Sequence, residues 1–86
     1  MQVLIPSPLR SYTKNASQVD ASGSSLAELL KNLDQSYPGI RFRMIDEQDR
    51  MRQHIKIYVD KVLVNSISVP LKGTESIMIV CALSGG

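Results

Sequence analysis

Cysteine, histidine and tryptophan are scarce in this 86-residue sequence, which has one Cys, one His and no Trp. The single Cys81 cannot form an internal disulfide, which fits a reducing compartment. His54 has no second ligand nearby in sequence, so we expect no zinc site and interpret it as a solvent-facing strand residue. The five glycines form no phosphate-cradling or dinucleotide-binding pattern. These absences argue against bound metals or cofactors.

Clustered positive charge and long apolar runs are also absent. Ten basic residues against eight acidic ones give a net charge of +2, and only three Tyr and one Phe are present. Nucleic-acid binders usually show a larger basic excess with stacking aromatics. No apolar run approaches the ~20 residues that span a membrane, and the N-terminus lacks the basic start of a signal peptide. We therefore expect a cytoplasmic protein that binds neither nucleic acid nor membranes.

The clearest element is a helix over residues 25–37. Ser25 and Glu28 are spaced as a capping box, and Pro38 with Gly39 ends the segment. Apolar residues then recur at helical spacing on one face. These are Leu26, Leu29, Leu30, Leu33 and Tyr37.

Strands are predicted on both sides of this helix. Alternating or short apolar segments indicate strands at residues 2–5, resuming at 9–13, and at 17–21, 54–59, 62–64 and 76–82. One helix with four or five strands is a two-layer α+β domain. The order favours a ubiquitin-like β-grasp, in which a mixed sheet wraps one main helix and the first and last strands lie parallel at its centre. We expect this domain to span residues 1–82.

The charged segment 41–52 is predicted to be an irregular connection with one extra helical turn, anchored by Met44 and Ile45. Its acidic residues alternate with arginines, which favours a solvated loop over a calcium or catalytic site. The acidic members are Asp46, Glu47 and Asp49, and the basic ones Arg43, Arg50 and Arg52.

The last four residues, Leu83, Ser84, Gly85 and Gly86, form a candidate tail. Two glycines at the end of a strand gain nothing by packing and lose much freedom if they are fixed. They are useful where a narrow site must grip the chain, and four extended residues reach roughly 13 Å at ~3.3–3.6 Å each. The alternative is a frayed end without a role.

The last strand also indicates a docking surface. If Ile77 and Ile79 face the helix, Met78 and Val80 lie on the opposite face of the sheet. Exposed apolar side chains there favour a partner surface, and methionine adapts to more than one partner. The alternative is burial beneath segment 41–52. Cys81, in phase with the isoleucines, is expected to be in the core, with a transient sulfur acceptor as the second interpretation.

Together these segments resemble the MoaD/ThiS family of sulfur carriers, relatives of ubiquitin, over nearly the whole chain. The similar motifs are Ile-Pro-x-x-Leu-Arg (5–10), Leu-Ala-Glu-Leu-Leu (26–30), Tyr-Pro-Gly (37–39), His-Ile-Lys-Ile-Tyr-Val-Asp (54–60), Pro-Leu-x-x-Gly (70–73) and Ala-Leu-Ser-Gly-Gly (82–86). Within the family, the carriers used in cysteine synthesis are most similar. Thr74 and Cys81 depart from the acidic residue and the proline that are common at these positions.

The resemblance implies a carrier without catalytic residues of its own. An E1-like enzyme of the MoeB/ThiF type would use ATP to adenylate Gly86, which would then become a thiocarboxylate that donates sulfur to a biosynthetic enzyme. Gly85, Ser84 and Leu83 would thread the tail into the partner's active site. Two alternatives share this tail: the small subunit of molybdopterin synthase, and a ubiquitin-like modifier of proteins.

Overall fold

A computed structural model of the chain describes residues 1–82. Its elements run in the order β1 (Gln2–Leu4), a 3₁₀ segment (Ser7–Thr13), β2 (Gln18–Asp20), α1 (Leu26–Ser36), α2 (Ile40–Met44), β3 (Ile55–Val59), β4 (Val62–Val64) and β5 (Ser76–Cys81).

The five strands form one mixed sheet in the order β2-β1-β5-β3-β4. β5 lies at the centre, parallel to β1 and antiparallel to β3. The outer pairs, β1 with β2 and β3 with β4, are antiparallel hairpins. The predicted arrangement of one wrapped helix and parallel first and last strands is therefore confirmed.

Helix α1 forms where its cap and its apolar stripe predict it. The Glu28 N–H donates to the Ser25 hydroxyl at 3.2 Å, and the Glu28 carboxylate accepts the Ser24 N–H at 3.0 Å. The four leucines of the stripe are buried against the sheet. Backbone N–H groups of Leu26 and Ala27 donate to Val69 and Ile67, so the segment before β5 is tied to the start of the helix.

Residues 9–13 were predicted to resume the first strand, and this prediction is wrong. They belong to the 3₁₀ segment, whose first turn is closed by the Leu9 N–H donating to the Pro6 carbonyl at 2.9 Å. Pro6 and Pro8 lack the N–H donors that a sheet ladder needs, and proline is well suited to the first turn of a helix. The segment buries Leu9 and Thr13 and ends at Lys14, which has a left-handed backbone.

The connection after α1 contains the extra helical turn that was predicted. α2 spans five residues, and both expected anchors, Met44 and Ile45, are fully buried. Asp46 then organises the loop by accepting the N–H groups of Gln48 and Arg50 at 2.8 and 3.0 Å. The hydrogen bond from Arg50 is the main reason that the pKa of Asp46 is lowered.

Gly23 is required by close packing before α1, which gives a first testable prediction. A Cβ at this position would lie 2.8 Å from the Leu29 Cα and would also collide with the Leu29 backbone nitrogen. Since backbone atoms cannot move aside cheaply, we expect Gly23→Ala to lower the free energy of unfolding by about 3 kcal/mol in urea titrations.

The control is Gly73→Ala, since a Cβ at Gly73 meets nothing within 4 Å and the strain comes only from its φ of +76°. That substitution is expected to cost about 1 kcal/mol. Equal losses in the two variants would contradict a packing role for Gly23.

Candidate functional site

The base of the predicted tail is held at the centre of the sheet. β5 has neighbours on both sides, and the Ala82 N–H donates to the His54 carbonyl at 2.7 Å just beyond its end. His54 is exposed as predicted, but it lies in the turn just before β3 and not within a strand. Its backbone carbonyl anchors the chain where β5 ends. The predicted tail residues Leu83, Ser84, Gly85 and Gly86 lie outside the residues that the structure describes.

The two faces of β5 differ as the alternation predicted. Ile77 and Ile79 are 0% and 2% exposed and belong to the core, whereas Met78 is 38% exposed and Val80 is half-buried. A shallow groove along this side is lined by the end of β1, the proline segment, Ser17 and β5 itself, without residues of segment 41–52. The location of Met78 and Val80 on the open face agrees with the sequence analysis, and their docking role stays a prediction.

Met78 is part of an apolar row that crosses the sheet. The register aligns Leu4 with Met78, Met78 with Tyr58, and Tyr58 with Leu63. Directly paired side chains share a face and contact one another. Leu4 and Leu63 are 38% and 46% exposed, and Tyr58 is half-buried. We call these four residues the open-face row. Of this row, only Met78 could be identified from the sequence, because the row depends on how four strands are aligned.

Three cations near the base of the tail form no ion pair with another residue of the range 1–82. Arg10 lines the groove and donates from Nε to the Ile5 carbonyl at 3.0 Å, and Lys56 is paired with Val80 on the open face. Arg43 donates from Nε to the Tyr12 hydroxyl at 2.6 Å, and this hydrogen bond raises the pKa of Arg43. Within residues 1–82, the two ion pairs use other arginines: Arg41 with Asp49, and Arg50 with Asp46.

Acidic groups lie at the opposite end of the sheet. Asp20 is paired with Gln2 at the beginning of β1, and Glu75 precedes β5. The Asp60 carboxylate accepts the N–H groups of Glu75 and Ser76, both at 3.0 Å. This end also carries the Met1 ammonium, which donates to the Ala21 carbonyl at 2.9 Å, and Lys61 in the turn after Asp60. Charges of both signs therefore lie there, whereas Arg10, Arg43 and Lys56 lie toward the end from which the tail leaves.

Cys81 lies between two surface depressions at the same end. Its side chain is half-buried and packs on the edge of the core. It lines the groove beside Pro6 and Pro8, and also a crevice that contains Tyr12, Arg43 and His54. The expected core orientation is observed, but the residue is not fully enclosed.

Two other features of residues 1–82 bear on function. No group of three or more His, Cys, Asp or Glu side chains in this range could hold a metal ion. None of the helices there has the length and apolar character needed to cross a membrane.

Known proteins resemble this chain in sequence and in fold. The curated sulfur carrier protein CysO of Mycobacterium tuberculosis is 29% identical over 89 residues, covering 98% of this chain and 96% of the relative. The crystal structure of M. tuberculosis CysO has a TM-score of 0.88 at 28% identity, covering 95% of this chain and 98% of that chain. CysO in the Amycolatopsis orientalis BexX/CysO complex has a TM-score of 0.89 at 26% identity, with 99% and 98% coverage.

A more distant structure, SAMP1 from Haloferax volcanii, covers 100% of this chain and 98% of its own at 16% identity, with a TM-score of 0.77, and so shows the fold alone. These likenesses confirm the predicted β-grasp and the predicted similarity to carriers of the CysO type. The sequence profile of the ThiS family matches residues 3–86. The chain therefore belongs to the ThiS family.

Proposed function

We propose that this chain carries sulfur as a thiocarboxylate on Gly86. A MoeB/ThiF-type enzyme would join the Gly86 carboxylate to the α-phosphorus of ATP, with loss of pyrophosphate. A sulfur nucleophile would then attack the acyl-adenylate carbonyl and displace AMP. The resulting thiocarboxylate would donate its sulfur to a biosynthetic enzyme, in cysteine synthesis or in the synthesis of another sulfur-containing metabolite.

The observation that carries this proposal is the anchoring of Ala82, the residue before the tail. Ala82, the last described residue, is hydrogen-bonded at the end of the central strand. The four residues beyond it span at most about 13 Å, so the end of β5 sets an upper limit on the distance from the docked domain to Gly86. The chain thus presents the Gly86 carboxylate to the partner, and the partner supplies ATP and the catalytic groups. Gly85, Ser84 and Leu83 would occupy the partner's channel.

The docking part of the proposal rests on the open-face row together with Val80. Met78 and Val80 lie on the strand that leads into the tail, so an enzyme that receives Gly86 must approach this end of the sheet. Lys56 and Arg10 lie beside the apolar surface and favour an enzyme with acidic groups around its channel, because complementary charge accelerates association. We place the carrier and its enzymes in the cytoplasm.

The carrier is preferred over the two alternatives. The curated relatives are named as sulfur carriers, which agrees with the prediction of a carrier that is not itself an enzyme. SAMP1 is named as an archaeal modifier protein, but its low identity shows only a shared fold and gives no reason to assign protein modification here. None of the relatives described above is named as a subunit of molybdopterin synthase.

The test is to incubate the chain with ATP, sulfide and the MoeB/ThiF-type enzyme of its own host. Intact mass should rise by the difference between one sulfur and one oxygen atom, and peptide analysis should place the change at Gly86. Omitting ATP is the control. A gain located on Cys81, or the absence of any gain, would contradict the proposal. Conjugates to lysines in host extracts would support a modifier instead.

A further inference from the structure

The backbone N–H and C=O groups of successive β5 residues point alternately toward β3 and toward β1. The Asp60 N–H donates to the Ser76 carbonyl and the Ala82 N–H donates to the His54 carbonyl, at 3.0 and 2.7 Å. In an antiparallel pair, such bonds occur at every second residue. The even-numbered residues of β5 therefore bond toward β3, and the odd-numbered ones, Ile77, Ile79 and Cys81, direct their N–H and C=O groups toward β1.

β1 ends before it can pair with this whole edge. The Gln2 N–H donates to the Glu75 carbonyl at 3.2 Å, which sets the register of the parallel pair. The same alternation would place the nitrogen of residue 6 opposite the Ile79 carbonyl, but residue 6 is a proline and has no N–H to donate. The chain then turns into the 3₁₀ segment.

Ile5 cannot serve this edge either. Its N–H donates to the Ser17 carbonyl at 2.8 Å, and its carbonyl accepts the Arg10 Nε at 3.0 Å. The Pro6 carbonyl, which the same alternation would place opposite the Cys81 N–H, accepts the Leu9 N–H at 2.9 Å. Both backbone groups of Cys81 consequently face the groove formed by Pro6, Pro8 and Arg10, whereas Ile79 is only 2% exposed. Such an edge is a template for pairing with another strand.

We propose that this open edge of β5 receives an extended segment of the activating enzyme, which pairs with the backbone of Cys81. This inference rests on the proposed function. The activating enzyme is the occupant because the edge lies immediately before the tail, and a strand that starts at Cys81 leads directly along the chain toward Gly86. The Arg10 guanidinium on the groove wall fits an acidic side chain on that segment. Backbone pairing gives affinity and aligns the tail before reaction.

Amide hydrogen exchange of the intact chain tests the proposal residue by residue. In the free protein, the Cys81 amide should exchange at least about tenfold faster than the Ala82 amide, because of these two amides only that of Ala82 donates to another group within residues 1–82. The MoeB/ThiF-type enzyme of the same host should then slow Cys81 exchange by about tenfold or more. A Cys81 amide already protected in the free chain, or one that stays unprotected in the complex, would overturn the inference.

Two variants of Cys81 distinguish the contribution of its backbone N–H from that of its thiol. Cys81→Pro removes the N–H without breaking a hydrogen bond of the sheet, and proline favours an extended residue before it, as Val80 already is. We expect kcat/KM for adenylation to fall about 5–10-fold, the usual effect of one hydrogen bond. Cys81→Ala keeps the N–H and also lacks the thiol, so it is the reference against which the loss in Cys81→Pro is measured. Equal rates for both variants, with melting temperatures as controls, would overturn the inference.

The outcomes distinguish this inference from the proposed function. If the enzyme charges Gly86 normally while Cys81 remains unprotected, only the edge pairing is wrong. If Gly86 is never charged, the carrier mechanism itself is wrong. Protection of Cys81 that increases with the concentration of the chain alone would show pairing between two copies, and would also overturn the assignment of the enzyme as occupant.

Discussion

Deleting Gly86 is expected to abolish charging by the activating enzyme and to leave thermal unfolding unchanged. The reaction requires the carboxylate within about 3–3.5 Å of the α-phosphorus, and the shortened chain ends ~3.3–3.6 Å earlier. A misplacement of about 1 Å can cost roughly 10²-fold in rate, so the loss should be at least that large. The buried apolar core lies between Val3 and Ile79, so melting should be unaffected.

Adding one residue after Gly86 should have the same effect, because the carboxylate would then extend past the reacting position. The matched control is Ser84→Ala, which keeps the length and changes one side chain of the tail. ATP–pyrophosphate exchange measures adenylation directly, and calorimetry measures unfolding. Charging of the truncated chain at the wild-type rate would show that reach is not what the fold provides.

Much of the fold could be predicted because several segments carry a local signal. The capped leucine stripe specified α1, and alternation specified β3 and β5. Residues 9–13 were wrongly expected to be a strand, since a short apolar segment does not show whether it will pair. The two prolines decide this by withholding donors from the ladder, and that effect depends on which strand lies alongside.

The candidate site, too, could be predicted from the sequence only in part. Met78 and Val80 could be placed on the open face from alternation along one strand. Leu4 and Leu63 could not be assigned to the same surface, because their alignment with Met78 arises from pairing between residues far apart in sequence. The open backbone edge at Cys81 was also missed, since it results from the early end of β1. The two glycines indicated the tail, and the family resemblance implied its chemistry, whereas the surface beside the base of the tail depends on tertiary pairing.

Neighbouring residues of β5 should respond in opposite ways to the same substitution. Met78→Asp adds a charge to the open-face row, where the side chain is 38% exposed. We expect a stability loss of about 1 kcal/mol, mainly from the low strand propensity of Asp. Affinity for the activating enzyme should fall by about 10–100-fold, because an apolar contact at the centre of the interface would be replaced by a charge that must lose its water.

Ile77→Asp should instead unfold the chain. Ile77 is 0% exposed, and a buried charge with no partner costs several kcal/mol, which is comparable to the whole stability of a small domain at ~5–15 kcal/mol. Circular dichroism during urea titration separates the two variants, and a binding titration measures docking. Gln35→Asp, which adds the same charge on the exposed side of α1, is the control and should bind normally. Because Met78 and Ile77 are adjacent in sequence, only the face of the sheet distinguishes them. A folded Met78→Asp variant with unchanged affinity would show that the docking surface lies elsewhere.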